Sequence, residues 1–517
     1  MYSPLLGLAT MIRLALVFQL LSSAVVVPVC LSQETHLGTV DFPTSGAPSA
    51  QPHFVRGVLF LHSFEYDSAA HEFREAQHLD PGFAMAYWGE AMTYTHPVWN
   101  QQDTTAAHTA LSRLGPTRSA RNVKATTARE KSYLDAVEIL YGSGTKAHCD
   151  TLYSAAMEKL AALNPDDMEA QAFYALSLLG LNQGVRDLPA YMRAAAIAQE
   201  IFRRNPDHPG AAHYIIHAFD DPTHAPLGLY AARAYSQIAP GAAHAQHMTT
   251  HIFLAMGMWD EVVLQNEIAS GHDHEQWMPG HYTEWLNYAY LQQGRYAEAL
   301  QMLDVMRHHL SDKPSARQMA GLMVLRARYI IDTEKWNTAS SWDTDAAQLP
   351  REAKAYWAFI NGLGALKRGN REEGTRALAA YSAANVASGA KDPIDLVSEL
   401  ELKALIKLAA GAQEDAIGLM RQATAKEDAM PFQFGPPAII KPSHELFGEM
   451  LLGMGRGKEA QLEFTRALTL APRRARSLIG LAHASTTVGD KATAAEAYAT
   501  LRAIWHRADA EELAQAR

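Results

Sequence analysis

Apolar residues recur three and four positions apart along most of the chain from about residue 51, and runs of β-branched residues are scarce. This is the period of helices with one buried face. Short punctuation interrupts the pattern at Leu79-Asp80-Pro81, Asn164-Pro165-Asp166, Asn205-Pro206-Asp207, Ala239-Pro240-Gly241 and Ala471-Pro472. Each Pro can close one helix and open the next, because it lacks a backbone donor and pre-sets the first helical φ. Tight Gly turns fall between, as at Gln293-Gly294-Arg295-Tyr296 and Met454-Gly455-Arg456-Gly457. The pattern predicts an all-α chain whose helix–turn–helix repeats stack into a superhelical solenoid.

The first 50 residues depart from this rhythm. Arg13 precedes an apolar run from Leu14 to Val29, followed by Ser32, Gln33 and Glu34. A charged start, a short apolar stretch and a polar exit describe an export signal, and the run is short for a membrane span. Residues 1–32 are therefore expected to be a signal peptide, and the protein to be periplasmic or secreted with no membrane span. Val29 is a poor neighbour for lipid attachment at Cys30. If cleavage removes Cys30, only Cys149 remains and no intrachain disulfide can form. Residues 33–50 are rich in Pro, Gly, Ser and Thr, and read as an extended segment.

Beyond residue 50 the spacing resembles the tetratricopeptide repeat, a helix–turn–helix unit of about 34 residues. In residues 50–83, Ala69, Phe73, Ala76 and Pro81 fall in that repeat's small, large, small and Pro slots. Residues 441–474 supply Gly455, Ala460, Phe464, Ala467 and Pro472 in the equivalent places. Units 209–242, 243–276, 280–313 and 475–508 match with fewer landmarks. The expected organisation is an array over 51–310, irregular helical repeats over 311–440, and a C-terminal repeat pair over 441–508.

More narrowly, the chain is similar to a group of exported bacterial tetratricopeptide proteins. The shared stretches are Leu61-His62-Ser63-Phe64-Glu65-Tyr66, residues 84–92, His213-Tyr214-Ile215-Ile216-His217 and His247-Met248-Thr249-Thr250-His251-Ile252. The resemblance implies fold and export, and no settled activity.

Charge narrows the partners. The formal net charge of −10 disfavours nucleic acid, which needs a basic surface. A protein, peptide or small molecule in the concave groove fits better.

The histidines concentrate: ten of the 23 lie between His208 and His281, one seventh of the chain. In the repeat register the first helix of each unit lines the groove. His213 and His217 take its fifth and ninth positions in one unit. His244, His247 and His251 take the second, fifth and ninth in the next, and His281 the second in the one after. His62 lies late on the first helix of unit 50–83. Residues four apart share a helix face, and packed helices lie about 8–10 Å apart. Imidazoles from neighbouring helices can therefore converge. His213, His217, His247 and His251 are the expected metal ligands, with His244, His281 and His62 as further ones. Neutral imidazole suits zinc, copper or iron. The competing reading is a hydrogen-bonded or peptide-binding wall.

His224 reads as a helix cap, His272 and His274 as a solvated turn, and His308 and His309 as surface. Glu90, set among aromatics, and Glu284, on a groove face, are the candidate catalytic bases. Glu445 and Glu449 would approach the histidines only if the superhelix curled on itself. The sequence has no His-Glu-x-x-His, Cys-x-x-Cys, Gly-x-Ser-x-Gly or phosphate loop. Two readings stay open: a binding scaffold carrying a metal in its groove, or a metal-dependent enzyme, either a hydrolase or a copper or iron oxidoreductase.

Overall fold

The computed structural model describes residues 36–182, 186–271, 277–310, 313–340, 348–385 and 392–515. The N-terminal apolar run, His272 and His274 lie outside these. The described residues form 25 α-helices, and their only sheet is the two-residue antiparallel pair Thr95–His96 and Gln101–Gln102. Consecutive helices pack as antiparallel hairpins, the arrangement of a tetratricopeptide-like solenoid. No described helix is long and apolar enough to cross a membrane.

A repeated three-part device sets the hairpin spacing. Phe73 inserts between Gly57 of its own hairpin and Gly89 of the next. A Cβ on Gly89 would sit 2.3 Å from the Phe73 ring. Phe464 stands likewise between Gly448 and Gly480, where a Cβ on Gly480 would come within 2.2 Å. Each ring fills the gap that two missing side chains leave, and both phenylalanines are fully buried. Gly480→Ala is expected to destabilise the C-terminal pair by about 1–3 kcal/mol through overpacking, measurable by denaturant unfolding.

Two stretches lose the repeat spacing for visible reasons. Over residues 311–440 the helices lengthen, to 18 residues at Ala316–Thr333 and 17 at both Arg351–Lys367 and Pro393–Ala409. Before residue 165, a small hairpin and the 18-residue helix Lys146–Leu163 replace the standard unit.

The superhelix curls until its far end meets its middle. The Trp259 indole donates to the Arg473 carbonyl at 3.1 Å, and the Trp505 indole to the Gln292 carbonyl at 3.0 Å. Gly257 is required at this seam, since a Cβ there would lie 2.6 Å from the Pro472 carbonyl oxygen. A buried ion network locks the seam. Arg474 pairs with Glu445 and with Asp332, each at 2.8 Å, and donates to the Tyr288 hydroxyl at 3.2 Å. Lys441 pairs with Glu445 at 2.9 Å and Glu449 at 2.5 Å, and Lys367 reaches Glu449 at 2.6 Å. Glu445 and Glu449 therefore close the ring and are not offered to the histidines.

Burial opposes ionisation of Glu449, but Lys367 and Lys441 outweigh it and hold its carboxyl at about 2. The folded value lies below the unfolded one, so this stabilisation is complete above about pH 4.5 and is lost as pH falls toward 2. The seam is expected to weaken by roughly 3 kcal/mol across that window from this group alone. Hydrogen exchange in 441–453 against pH checks it.

Candidate functional site

Three first helices of consecutive hairpins, Pro209–Ala218, Ala243–Ala255 and His281–Gln292, lie side by side in the array. Six imidazoles from them collect into two triads. His213, His217 and His244 form one, and His247, His251 and His281 the other, with the ligand nitrogens of each within 4.8 Å of one another. The single four-histidine site expected from 213, 217, 247 and 251 is thus divided in two. The middle helix explains it: His244 meets His213 of the preceding helix, while His247 faces His281 of the following one. His244 and His281, expected only as further ligands, complete the two sets.

Four of the six rings meet a partner at Nδ1, and five leave Nε2 open. Nδ1 of His213 donates to the His62 carbonyl at 2.7 Å. Nδ1 of His247 donates to Asn266 Oδ1 at 2.7 Å, and Asn266 is oriented by its own amide donating to the Val262 carbonyl. Nδ1 of His251 meets Asp220 Oδ2 at 2.5 Å. His244 Nδ1 lies 3.4 Å from the Tyr282 hydroxyl. Meanwhile Nε2 of His213, His217, His244, His247 and His251 is buried with no hydrogen-bond partner among the described residues. A carbonyl acceptor forces the proton onto Nδ1 and leaves the lone pair on Nε2. Metal-ligating histidines are oriented in this way.

Burial disfavours the charged form of His213, His217, His244, His247 and His281. It lowers His213 to about 3 and His281 to about 3, and drives His217, His244 and His247 well below the ordinary imidazole value, with neighbouring imidazoles adding to the effect. The exposures of His213, His217, His244, His247 and His251 are 0, 4, 6, 0 and 2%. These five rings therefore do not form an open wall of the groove.

Three features that sequence reasoning missed cover the cluster. Phe64 takes the turn position where later repeats carry Gly, with φ 55°, and its ring lies 4.2 Å from that of His213. A non-Gly residue in this region costs about 1–2 kcal/mol, and the absent glycine at that slot was the available signal. Trp99, on the 3-10 turn Pro97–Trp99, reaches His244 at 5.9 Å. The turn His96-Pro97-Val98-Trp99 thus supplies a wall. The loop 431–437 comes from the far end of the curl: Phe434 packs on His251 at 5.4 Å, and Gly435 lies against Trp285. A cavity of about 380 Å³ beside this loop is lined by Trp99, Tyr191, Phe432, Phe434, His217 and Asp220.

The other expected residues stand apart. His62 belongs to a separate buried group with Glu169 and His208. Its Nδ1 meets the Tyr214 hydroxyl at 2.8 Å and its Nε2 meets Glu169 at 2.7 Å. His208 meets Glu169 through Nε2 at 3.1 Å and accepts the Ala211 amide at Nδ1. Every ring nitrogen there is engaged, so His62 acts through its carbonyl, which orients His213. Glu90 is corrected as a base: Arg74, Arg113 and Gln77 occupy both its oxygens. Its helix, Ala84–Met92, is not one of the three that carry the triads. Glu284 lies one turn from His281, and burial raises its pKa against the opposing charges of Arg328 and Arg317. His224 pairs with Asp221, whose carboxylate accepts the amides of Thr223 and His224; the cap is the aspartate.

Fold and site together define a tetratricopeptide-like helical repeat protein with two adjacent tri-histidine clusters, buried except at the half-buried His281. No protein-family model and no curated protein matches the chain. Among solved structures, the human IFIT1 dimer with m7Gppp-AAAA aligns at 12% identity over 89% of this chain and 90% of that one, with a TM-score of 0.36. Yeast Tom70 aligns at 12% identity over 86% of this chain and 96% of that one, also at 0.36. The Cut9–Hcn1 hetero-tetramer of the APC/C aligns at 11% identity over 86% and 78%, at 0.34. Likenesses this distant carry no inference about binding or chemistry.

Proposed function

We propose that each triad binds one transition-metal ion and that the protein is a metal-dependent enzyme acting on a small molecule in the adjoining cavity. The carrying observation is the set of five buried Nε2 atoms without partners. Leaving a buried acceptor unmade costs about 1–3 kcal/mol. Five together approach the roughly 5–15 kcal/mol that stabilises a whole domain. A ligand in the cluster offsets that cost, and two metals at about 2.0–2.1 Å from three imidazoles each would do so. Three protein ligands also leave an open coordination position, the form of catalytic rather than structural sites.

Burial of the histidines beneath loop 431–437 favours a small substrate over a peptide laid along the groove. Glu284, with its raised pKa, is the carboxyl nearest in sequence to the second triad and is the proposed proton acceptor. The apolar run at 14–29 supports export to the periplasm or beyond, where such a site would load.

Elemental analysis after stripping and reconstitution with zinc, copper or iron tests the reading. Two ions per chain are expected, one in either His213→Ala or His247→Ala, and none in the double variant, with the helical circular dichroism retained throughout. A wild-type chain that holds no ion under all three metals overturns it.

A further inference from the structure

We infer that the two triads form a single dinuclear copper centre that takes dioxygen as its ligand and oxidises a small aromatic diphenol held in the cavity beside His217. The inference rests on the metal reading above and names its metal and substrate class.

Spacing makes the two sites one. Ring centroids across the divide are 5.9 Å apart for His217 and His251 and 6.1 Å for His244 and His247. Within the triads they run from 4.4 Å for His247 and His281 to 6.2 Å for His251 and His281. Ligands of opposite triads are thus as close as ligands of the same one, so ions held by them are neighbours that one small molecule can bridge.

The donor set selects the metal. Both triads are imidazole alone. The carboxylates at their edge stand behind the ligands, Asp220 on Nδ1 of His251 and Glu65 on the backbone amide of His244. Two divalent ions would bring four positive charges to a buried cage in which Asp220, behind His251, is the one carboxylate bonded to a triad ring among the described residues, and burial penalises the excess. Copper escapes this in two ways. As Cu(I) it halves the charge, and as Cu(II) it shares a bridging anion derived from dioxygen. Among divalent first-row ions, nitrogen donors also bind Cu(II) most tightly.

The cavity selects the reductant. It holds about 380 Å³, with walls from Trp99, Tyr191, Phe432 and Phe434, and opens onto His217. Its guanidinium, Arg186, is already paired with Asp221 and bonded to the Ala218 carbonyl, so among the described lining residues no free cation recruits an anionic substrate. Aromatic walls favour a flat, uncharged ring. Such a ring with two adjacent hydroxyls balances the chemistry. It gives two electrons to the Cu(II) pair, both O–H bonds break, and the ring becomes an ortho-quinone. Two such turnovers supply four electrons and four protons, and dioxygen leaves as two waters.

The test uses the full chain, metal-stripped and given two equivalents of copper. Two bound coppers with most of the Cu(II) paramagnetic signal cancelled by coupling, and one dioxygen consumed per two molecules of catechol oxidised, are expected. His251→Ala should bind one copper, recover its full paramagnetic signal and lose oxygen uptake. Two coppers with undiminished signal overturn the dinuclear centre while leaving the two-metal reading intact. Coupled coppers without catechol oxidation overturn the substrate class. No copper, with zinc or iron bound, overturns the choice of metal, and no metal of any kind overturns both this inference and its foundation.

Discussion

Arg474→Ala is expected to lower the unfolding free energy by about 3–5 kcal/mol and to expose the histidine cluster. Arg474 is 1% exposed and carries the only guanidinium bonded to Glu445 among the described residues. Removing it strands one buried carboxylate and weakens the hold on another. Glu445 keeps Lys441, but Asp332 loses its ion-pair partner, and burial already raises its pKa against the pull of Arg474. The cost exceeds that of a surface ion pair, about 0–1 kcal/mol, because neither acid can recover its hydration. Arg474→Lys should recover part of the loss, since one ammonium cannot reproduce the two-pronged contact to Glu445. The seam also carries loop 431–437 toward His251. Denaturant unfolding reads the first effect, and chemical modification of His251, followed by mass spectrometry, the second. An Arg474→Ala chain as stable as the wild type would remove the seam as the element that closes the site.

His217→Leu should leave the metal-free chain about as stable as before while abolishing the stabilisation that metal confers on its triad. A buried imidazole kept for structure would behave in the opposite way. Nε2 of His217 has no partner, so replacing the ring with a hydrocarbon of similar bulk removes an unmet acceptor. Metal at about a thousand times its Kd adds roughly 4 kcal/mol per occupied site. The wild type should therefore gain two increments and His217→Leu one. Thermal unfolding with and without metal makes the comparison. A loss of several kcal/mol in the metal-free variant would mark His217 as a structural residue.

Some of this site is legible in the order of residues. The spacing of His213 from His217, and of His247 from His251, places each pair on one helix face, because a helix repeats every 3.6 residues whatever surrounds it. Repeat register then assigns those faces to neighbouring first helices. Partner choice is not legible in the same way. Nothing local says that His244 joins His213 rather than His247, or that His62 turns to Glu169 and Tyr214 and lends only its carbonyl. Glu90 looked reactive because its arginines stand 16 residues before it and 23 after. The covers were hidden for the same reason: Trp99 reaches His244 from a short two-stranded turn, and Phe434 arrives from about 180 residues away.

The sequence alone determined the helices, their pairing into hairpins and the inward aim of the histidines, since each depends on spacings within about one repeat. The tertiary structure alone decided that six imidazoles divide into two facing triads beneath a loop from the far end. That outcome depends on how small rotations between hairpins accumulate around the curl until residues 473 and 505 meet 259 and 292. No spacing within a single repeat encodes that sum.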